Sequence, residues 1–271
     1  MSLIDSILLG LVQGITEFLP VSSTAHLRIV PALLGKEDPG AAFTAVLQLG
    51  TLAAVIGFFL RDLLKMVRAA LAPDRAQRPA AKHLLYLIVG TIPVGIVGVL
   101  FRHSIEGPLR TLQVIGTALI VVAIFMAIAD RHSTRMGAEA RDIDDLTLRD
   151  ALIIGCAQAL ALIPGVSRSG ITLVAGLALG LRRDAAARFS FLLSVPAIGA
   201  AGVFELPKVL HAQGLSATAL IAGLATAFVS GYLSIAWLLR YLRTHATTAF
   251  VVYRVALGLF LIVGAGLAWF H

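Results

Sequence analysis

The chain has 271 residues, of which 58% are hydrophobic and 14% charged, and its mean hydropathy is +0.91. That composition excludes a soluble domain with an ordinary core, and a lone cysteine, Cys156, excludes a disulfide framework. The net charge of +7 is read as a signal of membrane orientation and not of nucleic-acid binding, because basic residues of multi-pass proteins gather on one side.

In chain order, Leu3 to Leu19 is apolar and stops at Pro20, and Val21 to Leu34 resumes as a shorter helix. No cleavable signal peptide is expected, since a basic n-region is missing and Glu17 and Pro20 interrupt the apolar run. A clean span follows at about 41–60, then a basic loop at 61–83, then spans at about 84–101 and 112–129. After a second basic loop at 130–150, Leu146 to Ile163 stops at Pro164-Gly165, and Ile171 to Leu181 resumes. Three more spans are expected at about 186–204, 216–239 and 249–270. Proline removes a backbone donor and disfavours helix at the preceding residue, so each broken segment reads as two half-helices meeting at a polar turn. Such backbone survives at membrane depth only inside protein or beside a water-filled cavity. The expected fold is an all-α polytopic membrane protein with six transmembrane helices plus two re-entrant helical hairpins.

Orientation follows from the basic residues. Arg61, Lys65, Arg68, Arg75, Arg78 and Lys82 lie in the first basic loop, and Arg131, Arg135, Arg141 and Arg149 in the second. Arg182, Arg183, Arg188, Arg240 and Arg243 fall on the same side, opposite Arg28, Lys36, Arg102, Arg110 and Lys208. The larger set is expected to be cytoplasmic, with both termini and the opening of the first hairpin facing outward and the second hairpin opening inward. GLVQ (10–13) aligns with GCAQ (155–158), and FTAVL (43–47) with FSFLL (189–193). Three spans separate the hairpins, which reverses the second relative to the first. The chain thus reads as a single membrane domain, 1–271, built from inverted repeats of about 1–110 and 146–271, a transporter-like architecture.

The polar groups inside the apolar segments carry the chemistry. An ionised Glu17 or Arg168 costs about 2.5–3.5 kcal/mol on insertion scales, so each needs a purpose. An ion pair pinning the hairpins is one, but it leaves the hydroxyls of Ser22, Ser23 and Thr24 unexplained. One of them serves as a helix cap. His26, three residues after Ser23, shares its helix face and suits acid–base work. In PGVSRSG (164–170), Ser167, Arg168 and Ser169 stand at a half-helix start, where free N–H groups and the dipole favour an anion. Arg adds a planar fork matched to phosphate oxygens. A serine-capped helix with a snorkelling Arg is the plainer alternative, but this turn falls between two apolar half-helices. Together the two turns point to a phosphate site inside the membrane.

QGITEFLPVSSTAH (13–26) and PGVSRSG (164–170) resemble the two signature motifs of the undecaprenyl-diphosphate phosphatase family, the bacitracin-resistance proteins of bacterial inner membranes. The resemblance extends to FxxxLQLG (43–50), VYR (252–254), the length and the segment order. It implies hydrolysis of undecaprenyl diphosphate to the monophosphate and inorganic phosphate, which recycles the lipid carrier of peptidoglycan synthesis. It also implies a divalent cation (Mg²⁺ or Ca²⁺), an inner-membrane location and a site open to the outer, periplasmic face. Glu17, Ser23, His26 and Arg168 become the expected catalytic set. Ser22, Thr24, Ser167, Ser169 and Arg254 become expected substrate-binding residues, and Glu17 with Gln13 the expected metal ligands. Two departures stand out: many members carry glutamate at the position of Gln13, a poorer ligand for a hard cation, and Ala25 replaces a common glycine. The expected mechanism is in-line attack on the terminal phosphorus by Ser23, with His26 shuttling the proton. Direct attack by water activated at His26 or Glu17 is the other route. Expected partners are the polyprenyl diphosphate and the bilayer, with no nucleic acid, and a second copy of the chain is a candidate as a homodimer. The rival function, a flippase for undecaprenyl phosphate, would use the repeat and the anion site equally well but has no use for a nucleophile beside a proton shuttle. A channel would want polar residues along several spans, which the sequence lacks.

Overall fold

The computed structural model describes residues 2–36, 40–71, 78–101, 108–210 and 216–267. Of the basic residues assigned to sides above, Arg75 and Arg102 lie outside the described residues, as do the side chains of Arg78 and Lys208. The elements are helices: α1 (Leu3–Phe18), α2 (Ser23–Leu33), α3 (Gly40–Phe58), α4 (Leu60–Leu71), α5 (Arg78–Leu100), α6 (Leu112–Met136), α7 (Leu148–Ala159), α8 (Arg168–Ala178), α9 (Arg183–Leu210), α10 (Ala217–Leu242) and α11 (Thr248–Gly266). Short 3₁₀ turns join some of them, and a single β-bridge ties Arg141 to Leu181.

Among the described residues, five helices are long and apolar enough to cross a membrane, namely α5, α6, α9, α10 and α11. The pair α3 and α4 makes a sixth if it is taken as one span, though it is bent by 74°. The outward faces confirm the solvent these helices are built for. On α5, Leu85, Ile88, Ile92, Ile96 and Val99 recur at helical spacing and are all exposed, a stripe that in water would be a liability and in lipid is a match. This is a multi-pass membrane protein.

Packing interleaves the first and second halves of the chain. α1 lies along α10, α7 along α5, α6 along α11, and α3 between α9 and α10. Small residues permit the closest crossings, since helices in lipid associate through backbone approach and not through exclusion of water. At Gly10 an added Cβ would sit 2.2 Å from the carbonyl of Gly223, and at Gly155 it would sit 2.3 Å from that of Gly90.

Local construction also recurs at matching positions. α1 opens with a capping box of Ser2 and Asp5, and α7 with one of Thr147 and Asp150. α2 begins after Ser22 and α8 after Ser167, the two non-glycine residues at positive φ among the described residues (74° and 71°). Both half-helices run into a glycine at positive φ, Gly35 (64°) and Gly180 (82°), which a Cβ would disfavour.

Several boundaries differ from the sequence reading, among them the start of α5 at Arg78 and the end of α9 at Leu210. α8 starts at Arg168, not Ile171, because Ser167 caps it and polar residues fill its first turn. α6 continues to Met136, past the expected end near 129, carrying Asp130 and Ser133 into the protein interior. The segment 61–83, expected as a loop, begins as helix α4. Its apolar residues recur at helical spacing among charges, which a search for uninterrupted apolar runs passes over.

Candidate active site

The chain breaks between α1 and α2 and between α7 and α8 bring two turns together in the interior. Pro20 ends α1, and Leu19 before it is extended (φ −65°, ψ 139°), as a residue preceding proline should be. Ser22 then caps α2, accepting from the Ala25 N–H at 3.4 Å, and Ser167 caps α8, accepting from the Gly170 N–H at 3.2 Å.

Breaking a helix leaves carbonyls without partners, and Arg254 on α11 collects them. Its side chain is wholly buried. Nη1 donates to the Pro20 carbonyl at 3.0 Å, Nη2 to Gly165 and Val166 at 3.0 Å each, and Nε to Leu119 on α6 at 3.1 Å. One planar group with five N–H donors thus clamps both turns to α6. Arg254, one of the residues expected to bind substrate, directs these donors at backbone carbonyls.

Glu17 is the centre of the constellation and is 5% exposed. Its Oε1 accepts from Arg168 Nη2 at 3.0 Å. Its Oε2 accepts from the Ser23 hydroxyl and from Gln13 Nε2, both at 2.8 Å. Residues 151 positions apart therefore meet in one hydrogen-bonded chain, Ser23–Glu17–Arg168, with Gln13 bracing the carboxylate. Two polar atoms of this cluster are buried and unpartnered: Arg168 Nη1, a donor, and Gln13 Oε1, an acceptor. The amide orientation is set by its neighbour, since turning the oxygen toward the carboxylate would set two acceptors against each other. A buried donor without a partner costs about 1–3 kcal/mol, so Arg168 Nη1 could accommodate an acceptor such as an anion.

Ser169 donates to the Leu19 carbonyl at 3.1 Å and lies 3.2 Å from the Ser167 hydroxyl, so it stitches the second turn to the first. Ser22 and Ser167 serve as caps, while Thr24 is half-buried in the first turn of α2. His26 Nδ1 lies 2.7 Å from the Ser22 carbonyl, and its Nε2 lies 2.6 Å from the Tyr253 hydroxyl. A carbonyl only accepts, so Nδ1 carries a proton, and in the neutral ring Nε2 accepts from Tyr253. The two rings stack at 5.7 Å with planes 8° apart. Tyr253 is the site residue that reading the sequence missed. Its one signal was position, next to Arg254 in the VYR run.

A divalent cation would find few protein ligands here. No group of three His, Cys, Asp or Glu able to hold a metal occurs among the described residues. Glu17 and the free Gln13 Oε1 offer one carboxylate and one amide oxygen. That set fits a cation held chiefly by phosphate oxygens, as Mg²⁺ often is.

The fold and site define a multi-pass helical membrane protein whose broken helices bring a half-buried hydroxyl and guanidinium onto a buried carboxylate. The comparison with known proteins sharpens this. The family model described as bacitracin resistance protein BacA matches residues 6–260. The undecaprenyl-diphosphatase of Myxococcus xanthus is 51% identical, over 97% of this chain and 89% of its own. That of Chlorobaculum parvum is 47% identical over 98% of both chains, and undecaprenyl-diphosphatase 2 of Streptomyces coelicolor 46% identical over 97% and 94%. The chain belongs to the BacA family.

Replacing Arg254 by Lys tests its role as a clamp. One ammonium cannot reach carbonyls on three segments, and each one stranded costs about 1–3 kcal/mol. The melting temperature of the purified protein should fall by several degrees, with turnover falling alongside. Unchanged melting with weaker diphosphate binding would instead make Arg254 a substrate ligand.

Proposed function

We propose that this protein hydrolyses undecaprenyl diphosphate to undecaprenyl phosphate and inorganic phosphate, the activity for which its relatives are named. The observation that carries the reading is the Ser23–Glu17–Arg168 chain with its unpartnered Arg168 donor. A hydroxyl hydrogen-bonded to a buried carboxylate is a nucleophile with its base in place. A guanidinium donor beside it supplies the charge stabilisation on which phosphoryl transfer mainly depends.

In the proposed reaction, the terminal phosphate of the lipid diphosphate docks on Arg168 Nη1 and the N–H groups that open α2 and α8. Ser23 Oγ attacks the terminal phosphorus in line while Glu17 takes its proton. The bond from phosphorus to the bridging oxygen breaks, releasing undecaprenyl phosphate, which accepts the proton from Glu17. Water then attacks the phosphoserine with Glu17 again as base, the P–Oγ bond breaks to free phosphate, and Glu17 returns its proton to Oγ to restore Ser23. The hydrogen bonds favour Glu17 over His26 as the base for Ser23, because both nitrogens of His26 are engaged elsewhere. His26 and Tyr253 together would order the rim of the site and relay protons once phosphate displaces the tyrosine hydroxyl. Gln13 and Glu17 would hold a divalent cation jointly with the diphosphate. The cation would neutralise charge on the oxygens.

We further read α1–α2 and α7–α8 as re-entrant hairpins related by an inverted repeat of about 1–110 and 146–271. The matched caps and matched positive-φ residues support that arrangement. Six spans then result if α3 crosses alone, and the gathering of basic residues in the two loops supports a site facing the outer side of the inner membrane.

Three measurements test these readings. Phosphate release by purified protein given undecaprenyl diphosphate should drop by at least about a hundredfold in Ser23→Ala and steeply in Arg168→Lys, which keeps charge but loses the fork. The double variant should be scarcely worse than Ser23→Ala, because both act on one step. Multiplicative losses would separate the roles, and an active Ser23→Ala would transfer the attack to water.

Gln13→Glu adds a carboxylate beside Glu17 and should lower the Mg²⁺ or Ca²⁺ concentration needed for half activity. Unchanged cation dependence would place Gln13 away from any metal.

For orientation, the exposed Cys156 is first replaced by Ala. Glu139→Cys should then react only with membrane-permeant thiol reagents in whole cells, and Lys36→Cys with impermeant reagents as well. The reverse pattern would invert the topology.

A further inference from the structure

Helix α4 has no part in the site described above, and its surface is divided into three stripes. Met66 and Ala69 are buried against the bundle, where α4 packs on α5. Leu60, Leu64, Val67 and Leu71 are exposed, from 43% to 81%. Arg61, Lys65 and Arg68, at helical spacing, form the third stripe, about a quarter turn from the exposed apolar one. Asp62, the one acidic residue of α4, is turned away and bonded to Arg188 of α9 at 2.7 Å, so it does not neutralise the stripe. None of the three basic residues pairs with a carboxylate among the described residues. Between them lies an open-sided concavity of about 420 Å³, lined by Arg61, Leu64, Lys65 and Arg68.

The bend explains why this face is where it is. α3 has 19 residues and spans roughly 28 Å at 1.5 Å per residue, enough to cross a hydrocarbon core alone. With α3 upright, a 74° bend lays α4 almost in the membrane plane. An in-plane helix with one apolar exposed stripe and one basic stripe buries the first among acyl chains and presents the second to headgroups.

We propose that α4 is an interfacial lipid-binding helix whose Arg61, Lys65 and Arg68 hold the phosphate of an anionic phospholipid headgroup, with the hollow between their stems taking the apolar part just below it. Leu64, on the floor between the charges, lies against the start of the acyl chains. The inference rests on the membrane reading of the fold and is independent of the hydrolytic one. A lipid fits this face better than a soluble anion because the exposed stripe of Leu60, Leu64, Val67 and Leu71 beside the charges would be left uncovered by free phosphate.

The test is lipid retention by native mass spectrometry of detergent-purified protein, after mixing with micelles containing phosphatidylglycerol or phosphatidylcholine. Wild type should retain phosphatidylglycerol preferentially, and retention should fall with rising salt. The triple variant Arg61→Gln/Lys65→Gln/Arg68→Gln should lose it by at least about tenfold. The equal-charge control Arg131→Gln/Arg135→Gln/Arg149→Gln, changed in the other basic loop, should keep it. Arg61→Lys/Arg68→Lys should also keep it, and this second variant carries the test if the triple variant proves unstable. Equal retention of the two lipids by wild type, retention by the triple variant, or equal loss in the control would each overturn the proposal. Displacement of the bound lipid by millimolar inorganic phosphate would overturn it too, reassigning the three basic residues to a soluble anion. Hydrolysis in detergent, where α4 takes no part, should be unchanged in all variants, which separates failure here from failure of the catalytic reading.

Discussion

Everything at the centre of this molecule depends on where the carbonyls of two broken helices go. In lipid an unpaired peptide group has no water to turn to, so a helix broken at membrane depth is unstable unless something else bonds it. Arg254 is that something: it comes from the last helix and donates to Pro20, Gly165, Val166 and Leu119 at once. It has no carboxylate partner among the described residues. Converging carbonyl dipoles stand in for a counter-ion, which lets a cation sit fully buried beside the Glu17–Arg168 pair without adding a second anion.

With the turns held, the distribution of charge in the site becomes intelligible. One carboxylate, Glu17, faces one guanidinium, Arg168, at 3.0 Å. Burial penalises each ion alone, and their pairing offsets much of that penalty. The pair is deliberately incomplete. Ser23 occupies the second carboxylate oxygen, and a second guanidinium nitrogen has no partner. A salt bridge built only to join two segments would close both forks on each other. This one leaves a hydroxyl on one end and an unpartnered N–H donor on the other, with the helix starts of α2 and α8 alongside.

Much of this was legible in the chain. The breaks at Pro20 and Pro164-Gly165 were visible because proline acts on its immediate neighbours, and the capping serines because a cap bonds within three residues. Glu17, Ser23, His26 and Arg168 stood out because polar groups are expensive where hydrocarbon surrounds them. Helix α4 was missed because its apolar residues are spaced by helix geometry among charges and form no uninterrupted run. The start of α8 was set three residues late for the same reason, since Arg168 and Ser169 are polar yet helical.

What the sequence determined by itself, then, was the solvent, the breaks and the cast of reactive side chains, since each follows from composition or from contacts within a turn. The tertiary structure decided their pairing. Ser23 faces Glu17 while His26 faces Tyr253, 227 positions away, and Arg254 bonds the backbone of both turns. Those assignments depend on how α1, α6, α8 and α11 cross, and crossing is settled by close approach between residues far apart in the chain, as at Gly10 and Gly223. Periodicity and spacing report on neighbours along a helix. They carry no record of which helix lies alongside.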